Sequence, residues 1–182
     1  MDELARRAGA VFEASHAEAL VARVRDFDAS GPVLLVKPLT MMNASGEAVA
    51  TLARYYRVDP GALLIVTDDV NLPLARLRAR ARGSSGGHNG LRSVTQHLGS
   101  DAFARLRVGV GRGDQRRDLA DHVLARFDPE EQPAIEVAIA RAADAAALFV
   151  TDGIEPVMNR FNPAAEDEGE RGAADTEPDN QA

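Results

Sequence analysis

The sequence predicts an α/β domain of three layers, with a mixed, twisted central sheet flanked by helices. Three observations predict it. Short apolar runs with strand character alternate along the chain with segments of helical periodicity. One of them, Leu63-Leu64-Ile65-Val66, has no polar alternation, which is the pattern of a central strand covered on both faces. A glycine-rich loop, Gly83-Ser84-Ser85-Gly86-Gly87-His88-Asn89-Gly90, leads from a strand-like stretch into helix-like residues 91–98. Such a loop presents free N–H groups at a helix N-terminus, which suits an anion or a carbonyl oxygen. It is also ordinary turn chemistry, so the rest of the chain has to decide.

Taken in order, residues 1–12 read as an amphipathic helix with Leu4, Ala5, Ala8, Val11 and Phe12 inward. Residues 19–25 alternate, 26–31 turn, and 33–36 form the second, buried strand of a hairpin. Residues 46–56 repeat Val49, Leu52, Ala53 and Tyr56 at helical spacing, with Ser45 as a cap. Asp59-Pro60-Gly61 is a turn. The run 63–66 ends at Thr67-Asp68-Asp69, and acids at the carboxyl end of a buried strand mark either a site or a capped turn.

Residues 75–82 alternate apolar residues with Arg76, Arg78, Arg80 and Arg82, which puts four guanidinium groups on one strand face. Charges of one sign leading into a glycine loop favour a phosphate-contacting face over an ordinary solvated one. Residues 103–110 form another strand, with Arg105 and Arg107 on one face. Residues 118–127 form a short helix. Asp128 caps a long helix over 129–151, with Ile135, Ala138, Ile139, Ala142 and Ala146 inward, and a last helix runs to about 161. The Gly109-Val-Gly-Arg-Gly113 stretch is not a dinucleotide fingerprint, because Asp114 stands where the third glycine would fall.

Composition narrows the function. A chain of 182 residues suits one domain, assigned here to residues 1–162. The net charge is −7, but residues 163–182 hold seven acids and one base, so the body carries only −1. That tail is acidic, lacks apolar periodicity and is expected to be disordered. A near-neutral body can still carry a basic face toward nucleic acid. Without cysteine there is neither a disulfide nor a thiolate metal site. No signal peptide or membrane-spanning run is present, so a cytoplasmic protein is expected.

The four histidines (His16, His88, His97, His122) include no pair at zinc-ligand spacing, and no G-x-S-x-G elbow occurs. What remains is a polar constellation on loops: Asn43, Asp68, His88 and Asn89. Amides can steady an oxyanion and hold a water, and an aspartate can orient a histidine. These parts suit hydrolysis of an ester or amide by water. A clear general base is missing, and His88 is either that base or a turn residue.

Four segments in this order carry a resemblance: Lys37-Pro-Leu-Thr-Met-Met-Asn-Ala-Ser-Gly46, Val66-Thr-Asp-Asp-Val-Asn-Leu-Pro73, Gly86-Gly-His-Asn-Gly-Leu91 and Phe103-Ala-Arg-Leu-Arg-Val-Gly-Val-Gly111. The chain resembles bacterial peptidyl-tRNA hydrolases from about residue 1 to residue 161. The resemblance implies cleavage of the ester between a peptide and the tRNA 3′ ribose, with no metal or other cofactor. It implies that Asn43 and Asn89 meet the substrate's 3′ end, that Asp68 supports a catalytic histidine, and that Arg80 and Arg107 clamp the tRNA 5′-phosphate. Met41 stands where the family usually has Phe, Thr67 where it has His, and Asp69 where it has Glu. His88 is then a supporting residue, and a monomer is expected.

The family also begins with a central strand ending in G-L-x-N-P-G, followed by a Tyr and by T-R-H-N, whose His is the general base. These motifs do not occur between Met1 and Ala182. The expectation is therefore a sheet lacking its first central strand and a chain with little turnover of its own. A start codon lying upstream is favoured over a degenerate paralogue. A non-catalytic RNA-binding module on the same fold is the competing reading, and an unrelated hydrolase using His88 is the weakest.

Overall fold

The computed structural model describes residues 1–112 and 119–162. Its elements in order are α1 (Asp2–Arg7), β1 (Glu13–Ala14), β2 (Ala19–Val24), β3 (Val33–Pro38), α2 (Ser45–Tyr56), β4 (Leu64–Asp69), β5 (Leu77–Arg80), α3 (Asn89–Leu98), β6 (Ala104–Gly109), α4 (Leu119–Leu124), α5 (Gln132–Asp152) and α6 (Ile154–Phe161). Short 3-10 turns at Met42–Ala44 and Pro60–Ala62 precede α2 and β4. The strands form two three-stranded sheets. One is antiparallel in the order β1-β2-β3. The other has the order β4-β6-β5, with β4 parallel and β5 antiparallel to β6.

Burial explains the layering. Leu4 and Ala5 of α1 pack with Ala22, Val24 and Leu35 of the first sheet and with Ala143 and Ala146 of α5. Leu77, Ala79 and Leu106 of the second sheet pack on Ala145 of α5 and on Val157 and Phe161 of α6. Helix α5 thus underlies both sheets. On the opposite side, α2 covers the first sheet through Ala48 and Leu52, and α3 covers the second through Leu91 and Val94, which pack with Phe103 just ahead of β6. Helices α2 and α3 cross closely because Gly46 has no side chain. A Cβ there would lie 2.1 Å from the Ser93 carbonyl oxygen.

Several expectations need correction. Val11 points outward and is 78% exposed, because α1 ends at Arg7 and the chain turns before it. Ser45 is the first residue of α2 and not its cap. The preceding 3-10 turn runs straight into the helix and leaves no extended capping residue. Helix α5 starts at Gln132, not after Asp128, because Pro133 lacks an N–H and is accommodated in a first turn. Its buried face is Ile135, Ala138, Ala143, Ala145 and Ala146, with Ile139 half exposed.

The run expected to be a central strand is β4, and among the described residues it stands at the end of its sheet, paired only with β6. Its faces are covered by α3 on one side and by α5 and α6 on the other, as the apolar run requires. The lateral neighbour is what the run does not specify. Among the same residues β3 pairs only with β2. A cleft of about 1450 Å³ lies where both strands are unpaired, lined by Leu34 and Val36 of one and Leu64 and Val66 of the other. The missing central strand of the expectation corresponds to this division. The acidic stretch 163–182 and residues 113–118 lie outside the described residues. Among the described residues no helix is long and apolar enough to cross a membrane.

Candidate active site

The site forms where His88 meets Asp68 and Gly90 meets Met42, residues that line the cleft together with Thr40 and Thr67. Strand β4 delivers Asp68 and Asp69 at its carboxyl end. The glycine loop delivers His88 and Asn89, and the turn after β3 delivers Met41, Met42 and Asn43. The 3-10 turn at Met42–Ala44 packs on the start of α3. That contact needs Gly90, where a Cβ would lie 2.6 Å from Met42 Sδ. The two elements carrying Asn43 and Asn89 are therefore in contact, and both asparagines are exposed.

His88 is the N-cap of α3. Its Nδ1 accepts the Leu91 N–H at 3.2 Å, satisfying one of the helix's free donors. A nitrogen that accepts carries no proton, so the ring is the Nε2–H tautomer. Nε2 then donates to Asp68 Oδ1 at 3.1 Å. Both nitrogens are occupied, which leaves His88 no lone pair with which to activate water. The His88 hydrogen bond holds the Asp68 carboxyl below its usual range, against a desolvation that pushes the other way.

Loss of this contact is testable. His88→Ala is expected to cost about 1 kcal/mol through the lost cap and to raise the Asp68 pKa, read by NMR titration. A carboxyl depressed in the folded state contributes stability that is complete above its unfolded value, about 4. That contribution disappears as pH falls through the lower folded value. The variant should therefore show a shallower loss of stability on acidification below about pH 4; an unchanged acid limb would refute the coupling.

The other site residues divide. Met41 is 79% exposed, an apolar side chain on the rim of the site. The Arg92 guanidinium donates to Asn89 Oδ1, which turns the amide NH₂ outward as the available group. Arg76, Arg78, Arg80 and Arg82 are exposed, as the alternation predicts. Arg107, grouped with Arg80 by the resemblance, is engaged internally. It donates to Asp69 Oδ2 at 2.9 Å and to the Ser84 and Ser85 carbonyls at 3.3 Å. Its neighbour Arg105 is 1% exposed. Arg105 bonds the carbonyls of Gly83, Ser84, Asp101 and Phe103 and stacks on the Phe103 ring at 4.5 Å. Register places Arg78 opposite Arg107 and Arg80 opposite Arg105. The β6 arginines are thus turned to the glycine loop and the β5 arginines to solvent.

Sequence reasoning missed two supports. Arg105 fixes the glycine loop, and only its place among the apolar residues of β6, beside Arg107, hinted at that. Ser93 is buried, and its Oγ accepts the Gly46 N–H at 3.0 Å, tying α3 to the start of α2. Among the described residues no group of three or more His, Cys, Asp or Glu side chains could hold a metal ion.

Fold and site together define a three-layer α/β protein with a polar site at a strand's carboxyl end, beside a glycine loop and an arginine face. Comparison with known proteins narrows this. Residues 1–169 match the family model described as Peptidyl-tRNA hydrolase. A peptidyl-tRNA hydrolase of Chloroflexus aggregans is 44% identical over 164 residues, covering 90% of this chain and 86% of the relative. One from Symbiobacterium thermophilum is 44% identical over 162 residues, covering 89% and 86%. The crystal structure of peptidyl-tRNA hydrolase from Acinetobacter baumannii superposes with a TM-score of 0.79 at 31% identity, covering 88% of this chain and 81% of that one. The chain belongs to the peptidyl-tRNA hydrolase family.

Proposed function

We propose that this protein hydrolyses the ester bond between peptide and tRNA in peptidyl-tRNA, releasing free tRNA for translation. The observation that carries the reading is identity of 44% over 90% of the chain to proteins named for that activity. Contact between the turn that carries Asn43 and the helix that begins at Asn89, next to the Asp68–His88 pair, supports it. In this reading water adds to the ester carbonyl carbon. The tetrahedral intermediate expels the ribose 3′ oxygen, which takes a proton, and a peptide carboxylate is left. Asn43 and the outward amide of Asn89 hold the substrate's 3′ end, and Met41 offers it an apolar contact. Asp68 orients the group that takes the water's proton. His88 holds Asp68 and has no free nitrogen, so it does not take that proton itself.

The exposed arginines of β5, Arg80 above all, meet the tRNA phosphate. Arg107 contributes by fixing the loop and, once Asp69 yields it, by charge. The protein acts in the cytoplasm as a monomer and uses neither a metal nor another cofactor.

Release of deacylated tRNA from an N-acetylaminoacyl-tRNA tests the reading. Two proteins are compared: this chain, and this chain extended ahead of Met1 by a strand and a T-R-H-N segment. The expected result is weak turnover by the first and strong turnover by the second, lost on Asn89→Ala. Tight tRNA binding with no turnover by either would favour the non-catalytic RNA-binding module instead. In the same binding assay Arg80→Ala should weaken tRNA affinity and reduce the salt slope by about 0.7–0.9. An unchanged slope would remove Arg80 from the phosphate contact.

A further inference from the structure

Strand β5 has two faces and one outer edge. On one face Leu77 and Ala79 are buried against Val157 and Phe161 of α6. Alternation puts Arg78 and Arg80 on the other face, flanked by Arg76 ahead of the strand and Arg82 after it, and all four are exposed. Among the described residues none of the four has a carboxylate within ion-pair distance. Four cations held side by side repel one another, and a polyanion relieves that repulsion.

The outer edge carries the end of α6. There the Asn162 side-chain amide donates to Ala79 O at 3.0 Å and accepts the Ala79 N–H at 2.7 Å. Ala79 lies between Arg78 and Arg80, so the chain beyond Asn162 sets out from the border of the arginine face. The sequence that follows is Pro163-Ala-Ala-Glu-Asp-Glu-Gly-Glu170. Extended chain spans ~10 Å in three residues, so Glu166 can reach past the edge to the arginine side. Side chains of extended chain share a face at every second residue. Glu166, Glu168 and Glu170 therefore recur at the ~6.6 Å spacing that separates Arg78 from Arg80.

We propose that the acidic segment 166–170 docks on the arginine face of β5 in the same molecule, so that an RNA phosphate reaches this face only by displacing it. A single exposed ion pair contributes little. Several pairs on a short tether behave differently, because each further pair forms within one molecule at an effective concentration in the millimolar range. The same tether favours the molecule's own tail over that of a second copy. The acids of residues 163–182 outnumber the arginines of the face, so copies with a docked tail still repel one another. Docking is a matter of this chain alone. Only the competition with RNA rests on the reading of Arg80 and its neighbours as phosphate contacts.

The experiment uses the 182-residue chain, which has no cysteine of its own. Ala173→Cys carries a nitroxide, and paramagnetic broadening of backbone amides is followed by NMR. A matched variant adds Glu166→Gln, Asp167→Asn, Glu168→Gln and Glu170→Gln, which keeps the length and the tether. The expected result is stronger broadening across residues 76–82 with the acidic tail than with the neutral one. That difference should vanish at about 0.5 M salt, where the screening length falls to roughly 4 Å. Equal broadening with both tails would overturn the proposal. So would broadening that passes to copies without the nitroxide in a mixed sample, which would point to docking between molecules. The second probe is a 5′-phosphorylated RNA hairpin. A tail docked about nine-tenths of the time leaves about one-tenth of the faces open, so the neutral-tail variant should bind the hairpin about tenfold more tightly at low salt. Docking with no such gain would overturn the competition and place the fault in the phosphate reading of the face, whereas absent docking would leave that reading untouched.

Discussion

Replacing Gly46 with alanine is expected to destabilise the protein by about 3 kcal/mol or more, the upper end of what overpacking costs. The added Cβ would lie 2.1 Å from the Ser93 carbonyl oxygen, 2.4 Å from its carbon and 2.7 Å from the Val94 nitrogen. All three are backbone atoms in the middle of α3, so no side chain can rotate away. The helices must separate, which stretches the bond from the Gly46 N–H to Ser93 Oγ and loosens the 3-10 turn that carries Asn43. A loss of about 3 kcal/mol lowers the melting temperature of a domain this size by roughly 6–12 °C. Calorimetry checks it, with Gly61→Ala as the control. Gly61 has ordinary backbone geometry and nothing within 4 Å of its added Cβ, so its replacement should change little. Equal melting temperatures for the two variants would show that α2 and α3 do not depend on the close crossing.

Arg105→Leu should be comparably severe, about 3–5 kcal/mol by analogy with breaking a buried charged contact. Leucine fills part of the volume but donates to none of the four carbonyls that Arg105 serves. Those oxygens would be left dry and unpaired, which is the expensive half of losing a hydrogen bond. Burial already draws the guanidinium pKa down, so the site is paying desolvation for a cation it depends on. Urea unfolding gives the stability, and amide exchange across residues 83–88 gives the loop's own freedom. Arg105→Lys should rescue little, because a single ammonium cannot reach carbonyls spread along a planar fork. A variant that kept its stability and a protected loop would mean that the glycine loop is held by other contacts, Arg107 among them.

These two residues show where the sequence was legible and where it was not. The sheet and helix order could be read because each element buries one face and its periodicity records that face. Arg76 to Arg82 were legible for the same reason, since alternation through β5 and the residues flanking it leaves them all exposed. Arg105 and Arg107 share that alternation and differ from the β5 arginines in depth, which is set by a loop folded over β6 from twenty residues away. Periodicity carries no record of such a cover. Gly46 gave no local signal either, because its reason is the backbone of another helix. Within the site, Asp68, His88, Asn43 and Asn89 could be picked out as polar residues at loops and strand ends. The tautomer of His88 could not, because it follows from a cap visible only once α3 is placed. The lateral neighbour of β4 was unreadable from its own residues, since an apolar run reports covered faces and says nothing of what lies beside it.

Asn162 closes the account of the sheet in a different sense. A β5 edge left bare would be a template on which like edges of other molecules could add, the route by which soluble sheets become filaments and precipitates. One amide, engaging both the donor and the acceptor of Ala79, makes that edge unattractive to its own kind. The residue immediately after α6 is therefore a guard of solubility, and the four exposed arginines beside it add mutual repulsion between approaching copies.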